Sequence, residues 1–111
     1  MKEVDAIFGE LREIVSGYEL NYTKPYIGLS KDGVAKNFFL FVPKKNYLHF
    51  RFKTNETQEL SSKLECAGLD VTYESRARRY KVKLSGYDEY KKHEELIKEC
   101  VQIAMDYYNI S

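Results

Sequence analysis

The stretch "NFFLFVPKKNYLHFRFK", residues 37–53, contains two different β-strand patterns joined by a proline turn. Its first part, "NFFLFV", is apolar on both alternating rows, which is typical of a strand that is covered on both faces. Its second part, "NYLHFRFK", alternates strictly, so one row can enter a core while the other forms a surface. The stretch predicts a central, doubly buried strand followed by a strand with one surface row.

The surface row of the second strand is basic and partly aromatic. It consists of Tyr47, His49, Arg51 and Lys53, while the row expected in the core consists of Leu48, Phe50 and Phe52. Further along the chain, "YKVKLS" (80–85) alternates in the same way and places Lys81 and Lys83 away from its apolar row. If the two strands lie in one sheet, we expect their basic rows to share a face.

The segments around this stretch complete the prediction of an α+β domain. Apolar residues at helical spacing between Val4 and Tyr18 predict a first helix that stops at Gly17. The pair Asp32-Gly33 predicts a tight hairpin turn, and residues 54–70 predict a short helix that Gly68 ends. Two strands joined by "SRARR" and one long amphipathic helix follow.

The predicted order of elements is α-β-β-β-α-β-β-α. This order favours a mostly antiparallel five-stranded sheet packed with three helices, in a single α+β domain over residues 1–111. A chain of 111 residues with 43% apolar and 32% charged residues can bury a core without a metal or a disulfide. Cys66 and Cys100 each lie in an apolar pattern, so we expect two buried, reduced thiols.

No part of the sequence predicts contact with a membrane. No apolar run approaches the roughly 18 residues that span a bilayer, and the N-terminal segment is charged where a signal peptide would be apolar. We therefore expect a cytoplasmic protein.

Charge is unevenly distributed although the formal net charge is only +1. The three segments predicted as helices are acidic, whereas residues 24–53 carry seven basic groups and one acidic group, and residues 76–83 carry five basic groups and no acidic one. Three explanations remain open at this point. One is a surface for a protein partner or for dimerisation. Acidic helices can neutralise basic strands, or the basic strands can contact phosphates.

Phosphate contact would use cations together with rings that can stack on bases. The candidate nucleic-acid-binding residues are Tyr47, His49, Arg51, Lys53, Arg76, Arg78, Arg79, Lys81 and Lys83.

The sequence contains no motif that dictates a reaction. His49 and His93 have no metal-ligand partner at helical spacing, and the acidic pairs of the last helix alternate with lysines as on a solvated face. No nucleophile elbow, phosphate loop or Cys/His dyad is present. We therefore predict a protein without catalytic residues, metal or cofactor.

Three runs of sequence resemble an uncharacterised bacterial domain family. They are "FGELREIVSGY", "KPYIGLSKDGVAKNFFLFVPKKNYLHFRFK" and "YKVKLSGYDEYKKHEELIKECVQIA". The resemblance implies an accessory α+β module of the kind found at the C-terminus of predicted transport proteins, beside restriction-endonuclease-like segments, working in cis with such a nuclease-like domain. Members of that family often have a glycine-containing turn before the last strand, where this chain has "SRARR".

Overall fold

Seven strands form one antiparallel sheet in the computed structural model, which describes the backbone of residues 2–110 and the side chains of residues 4–109. In chain order the strands are β1 (Glu19–Tyr22), β2 (Ile27–Lys31), β3 (Val34–Ala35), β4 (Phe39–Pro43), β5 (Leu48–Lys53), β6 (Asp70–Glu74) and β7 (Arg79–Leu84). The helices are α1 (Lys2–Glu10), α2 (Gln58–Cys66), α3 (Tyr87–Lys92) and α4 (Glu94–Ile110). The sheet runs β1-β2-β4-β5-β7-β6, and β3 pairs with β2.

One face of the sheet is covered by helices. The inward rows of β4, β5 and β7 join side chains from all four helices in a single core cluster. Stacked or edge-on aromatic rings fill the middle of this core, including Phe39, Phe41, Phe50, Phe52 and Tyr80. The opposite face therefore carries the outward rows of the same strands.

Strand β4 is central, as its apolar pattern predicts. It lies between β2 and β5, and its first four residues are all buried. Leu40 and Val42 point to the face without helices and lie outside the core cluster. Phe38 differs from the strict alternation, because it packs in the core against Tyr18 and Phe39.

The prediction of five strands is wrong because the second predicted strand is interrupted and a further strand precedes the first. Asp32 and Gly33 form the expected hairpin turn with positive φ angles, and Lys31 pairs with Val34. A continuous hairpin would then pair Ile27 with Phe38, but Ile27 pairs with Phe41. Residues 36–38 therefore form a bulge that separates β3 from β4. Strand β1 forms where the sequence pattern indicates a polar link.

The prediction of three helices is also wrong, since the long last helix is divided at His93. The His93 backbone leaves the helical region at ψ 25°, which separates α3 from α4. The first helix ends earlier than predicted, at Glu10, and residues 11–17 form turns with the N–H of Leu11 bonded to the carbonyl of Phe8. Gly17 ends this segment with a φ of 87°, as expected.

The two cysteines lie in different environments. Cys100 is buried, and burial raises the pKa of its thiol to about 12. Cys66 is exposed at the last residue of α2, so the prediction of two buried thiols is wrong for this residue. It follows Leu64 by two residues, and at this spacing on a helix its side chain points away from the face that carries the buried Leu60 and Leu64.

Among residues 2–110, no helix is both long enough and apolar enough to cross a bilayer.

Candidate nucleic-acid interface

Strands β5 and β7 pair directly, and this pairing brings their basic rows side by side. His49 lies opposite Lys83, Arg51 opposite Lys81, and Lys53 opposite Arg79. Residues paired in this way have Cα atoms about 4.5–5.5 Å apart. We call these six residues the basic face; they lie on the side of the sheet that carries no helix.

Tyr47 lies at one end of the basic face, just before β5. The Nζ of Lys83 sits 4.5 Å from the centroid of the Tyr47 ring, which is cation–π contact. The rings of Tyr47 and His49 are 5.3 Å apart with an interplanar angle of 60°. An amphipathic ring, an imidazole and an ammonium group are therefore grouped at this end.

The field of the basic face acts on its own histidine. The pKa of His49 lies below its usual value because the ring is partly buried, and because Lys81, Arg51, Lys44 and Lys83 surround it with positive charge. Its Nδ1 is buried and has no hydrogen-bond partner among the described residues. Burial first, and the neighbouring cations second, therefore both favour the neutral form of His49.

Acidic side chains reach this face from the edge strand β6. Asp70 lies opposite Lys83, Thr72 opposite Lys81, and Glu74 opposite Arg79.

Glu74 is the acid that contacts the basic face most closely. Its Oε1 lies 2.8 Å from Nε of Arg79 and 3.8 Å from Nε of Arg51. Partial burial opposes ionisation of Glu74, but the hydrogen bond from Arg79 and the charges of Arg79, Arg51 and Lys81 lower its pKa.

The neutralisation by β6 is incomplete. Strands β5 to β7, all within the described residues, place five cations and two carboxylates on this face. The cations are Arg51, Lys53, Arg79, Lys81 and Lys83, and the carboxylates are Asp70 and Glu74.

An apolar border lies on the other side of the basic face. Leu40 is opposite Arg51 and Val42 is opposite His49. Tyr26 continues this border. Its ring lies beside Gly28, so close that a Cβ added to this glycine would be 3.0 Å from Tyr26 Cε2. We call Tyr26, Leu40 and Val42 the apolar border.

The remaining predicted site residues, Arg76 and Arg78, do not lie on the basic face. They belong to the turn at residues 75–78, which joins β6 to β7 at the end of the face marked by Lys53 and Arg79. Both side chains are exposed, and Arg78 has a φ of 52°. The carbonyl of Arg78 accepts a hydrogen bond from the N–H of Thr54, which holds the turn against the end of β5.

Three groups of residues on this face are absent from the set predicted from the sequence. They are the apolar border, the β6 residues Asp70, Thr72 and Glu74, and Lys44 of the proline turn. The alternation of "DVTYE" assigns the β6 residues to one row. Their position beside Lys81 and Lys83 depends on the register of the β6–β7 hairpin.

Among the side chains of residues 4–109, no three His, Cys, Asp or Glu groups converge in a way that could hold a metal ion.

Comparisons with known proteins give no match: a scan against family models, a search of curated proteins and a search of solved structures each find none. The chemistry of the basic face is therefore the basis for a functional proposal.

Proposed function

We propose that the protein is a non-enzymatic module that binds the phosphate backbone of nucleic acid through its basic face. The observation that carries this proposal is the direct opposition of like charges, with Arg51 against Lys81 and Lys53 against Arg79. Like charges in directly opposite positions destabilise a sheet. A bound polyanion would remove this repulsion, which gives the arrangement a purpose that folding alone does not supply.

Neutralisation of the basic strands by the acidic helices explains this face less well than phosphate binding does. The acidic helices pack on the other side of the sheet, and their carboxylates pair with helix cations, as in Lys63–Glu99 and Lys91–Glu94. The basic face therefore keeps an excess of positive charge although the chain is nearly neutral.

The resemblance noted in the sequence extends this proposal to a biological setting. We propose that the domain serves as an accessory part of a larger bacterial protein of DNA processing or defence, acting in cis with a nuclease-like domain. In that setting the basic face would hold nucleic acid while another domain carries out the chemistry. The rival proposal is a protein-interaction or dimerisation module, in which an aromatic-rich surface meets a protein partner or a second copy of the chain and therefore responds little to salt.

Titration of labelled oligonucleotides at several salt concentrations tests phosphate binding. Each phosphate neutralised contributes about −0.9 (duplex) or −0.7 (single strand) to the slope of log K against log salt. The double variant Arg51→Ala/Lys83→Ala should bind more weakly and with a slope reduced by about 1.4 to 1.8.

The matched control is Lys63→Ala/Lys92→Ala, which removes the same charge from the helical side of the sheet. This variant should keep the affinity and the slope of the unmodified protein. Circular dichroism should show that both double variants are folded. Absence of binding at low salt, or equal losses in the two double variants, would refute the proposal; tight, salt-insensitive association between protein chains would favour the rival.

A further inference from the structure

We infer that the nucleic acid held on the basic face is single-stranded, with its phosphates over β5 and β7 and its bases against the partly exposed rings of Tyr47 and Tyr26. This inference rests on the proposed function and specifies its ligand. It follows from three features: the order of side-chain types across the sheet, the spacing along the strands, and the position of the rings.

Side chains follow the same order in two neighbouring rows across the four strands. One row reads Val42, His49, Lys83, Asp70, and the next reads Leu40, Arg51, Lys81, Thr72. The first row thus passes from an apolar residue, through a neutral imidazole and a lysine, to an acid, and the second passes from an apolar residue, through two cations, to a hydroxyl. The cations of β5 and β7 therefore form a central lane for anions, with nearly buried apolar side chains on one side and the carboxylates of Asp70 and Glu74 on the other.

This order fits a ligand with one row of phosphates and one row of bases. A single strand can place its phosphates along the cations of β5 and β7 and its bases against the partly exposed rings of Tyr47 and Tyr26. A duplex has its bases inside and a second phosphate row across a groove. That second row would meet Asp70 and Glu74 on one side, or the apolar border on the other, and neither stabilises a phosphate.

The spacing along the central lane also suits an extended strand. Alternate residues of a β-strand are about 6.6–6.8 Å apart, so Arg79, Lys81 and Lys83 form an evenly spaced row of cations. This interval is comparable with the distance between successive phosphates of an extended nucleic-acid strand. From Tyr47 to Lys53 the face is about 20 Å long, which accommodates a few nucleotides.

Tyr47 provides the means to distinguish base contact from phosphate contact. It is partly exposed at the end of the face, and it carries no charge at neutral pH. Stacking of a base on an aromatic ring contributes enough to affinity that alanine substitution costs about fivefold or more. Phe in place of Tyr47 keeps the ring, so it is the conservative comparison.

The test measures the affinity of the full chain for oligonucleotides of about 12 nucleotides in four forms. These are single-stranded DNA, single-stranded RNA, a DNA duplex, and a single strand of abasic sites. We expect tighter binding to one or both single strands than to the duplex, a loss of about fivefold or more in Tyr47→Ala, and no loss in Tyr47→Phe. On the abasic strand, Tyr47→Ala and the unmodified protein should bind equally.

The outcomes separate this inference from the proposed function. Equal or tighter binding to the duplex would overturn the inference and leave phosphate binding intact, as would a Tyr47→Ala variant that binds single strands as well as the unmodified protein. No binding to any of the four forms at low salt would overturn both. The comparison of DNA with RNA then identifies the sugar of the strand that is bound.

Discussion

Gly28 lies on the face without helices at a position that has no room for a side chain. Asn37, from the bulge, folds over its Cα, and Asn37 Oδ1 accepts a hydrogen bond from the N–H of Leu29 at 2.8 Å. Nδ2 of Asn37 donates to the Tyr26 hydroxyl at 3.4 Å. A side chain at position 28 would occupy the space of the Asn37 amide, so glycine is required here for steric reasons.

The substitution Gly28→Ala should lower the free energy of unfolding by about 1–3 kcal/mol, since the new methyl group displaces Asn37 from Leu29. Ser30→Ala, on the same strand and the same face, is the control and should change stability by less than about 0.5 kcal/mol. Urea unfolding of the two variants measures both values. Equal stability of Gly28→Ala and the unmodified protein would show that Asn37 does not pack as described.

His49 should make stability depend on pH in a defined direction. Its folded-state pKa lies below the unfolded value of about 6.5, through burial and the charges of Lys81, Arg51, Lys44 and Lys83. Between the two pKa values the unfolded chain binds a proton that the folded chain does not, so stability rises with pH. The folded state therefore keeps its full stability above about pH 6.5, and part of this stability is lost as the pH falls towards the folded-state pKa of His49.

Urea unfolding between pH 5 and 8 measures this dependence in the unmodified protein and in His49→Gln. The stability of the unmodified protein relative to the variant should fall as the solution is acidified below about pH 6.5. A constant difference across the range would show that the basic face does not depress the His49 pKa.

At the scale of single elements, the β6–β7 hairpin has an arginine where the backbone favours glycine. Arg78 has a φ of 52°, a region that costs an L-residue roughly 1–2 kcal/mol and glycine almost nothing. Backbone strain of this kind is often retained at functional sites. At Arg78 the strained backbone carries an exposed guanidinium at the end of the basic face.

Arg78→Gly should leave stability unchanged or raise it by up to about 1 kcal/mol, because relief of strain outweighs the added entropy of the unfolded chain. Its affinity for nucleic acid should fall. Arg76→Gly removes the same charge from the same turn but relieves no positive φ, so it should be destabilising by comparison. Thermal unfolding together with the oligonucleotide titration distinguishes the two variants; a clear loss of stability in Arg78→Gly would contradict the role of strain.

The central strand β4 separates two packing environments within one element. Phe41 is 1% exposed and lies among the core rings, so Phe41→Ala should cost about 3–5 kcal/mol. Chemical unfolding measures this loss. A cost below about 1 kcal/mol would show that the ring is not packed in a rigid core.

Matched leucines compare the two faces directly. Leu48→Ala removes a fully buried side chain from the core row of β5, whereas Leu40→Ala removes one from the apolar border, outside the core cluster. We expect the first variant to lie near the upper end of the 2–5 kcal/mol range for such changes and the second near or below its lower end. The same unfolding measurement decides between these expectations and equal losses.

At the scale of the whole molecule, the same cations take part in stabilising ion pairs and in the proposed binding of phosphate. The helices are acidic and the sheet face is basic, and Glu74 is the acid that contacts both Arg51 and Arg79. Removing its charge should therefore weaken the fold and strengthen the attraction for phosphate.

Glu74→Gln should lower the free energy of unfolding at pH 7 by about 1 kcal/mol, as for a partly exposed ion pair. Its affinity for nucleic acid at low salt should rise roughly threefold. Glu65→Gln, an exposed change on α2, makes the same change in net charge and should do neither. Thermal unfolding and titration on the same samples measure both effects. A fall in both stability and affinity would show that Glu74 does not compete with phosphate for Arg51 and Arg79.

Local pattern was sufficient to identify the central strand, the alternating basic row and the hairpin turn at Asp32-Gly33. Each depends on the sequence within a few residues: an unbroken apolar run, a period of two, and a pair that tolerates positive φ. The same local information misplaced Cys66 and predicted one long helix where α3 and α4 are separate. These errors arise because the burial of a helix end, and a break of one residue, depend on what packs beside them.

By itself the sequence determined that one row of "NYLHFRFK" and one row of "YKVKLS" are basic, because side-chain alternation is a property of each strand. Only the tertiary structure decided that Arg51 lies opposite Lys81, that Leu40 and Val42 border the basic face, and that Glu74 reaches Arg51. Strand register and the bulge at residues 36–38 make these decisions, and both depend on how the aromatic core packs beneath the sheet. Local sequence sets which face a side chain takes, and long-range packing sets its neighbours.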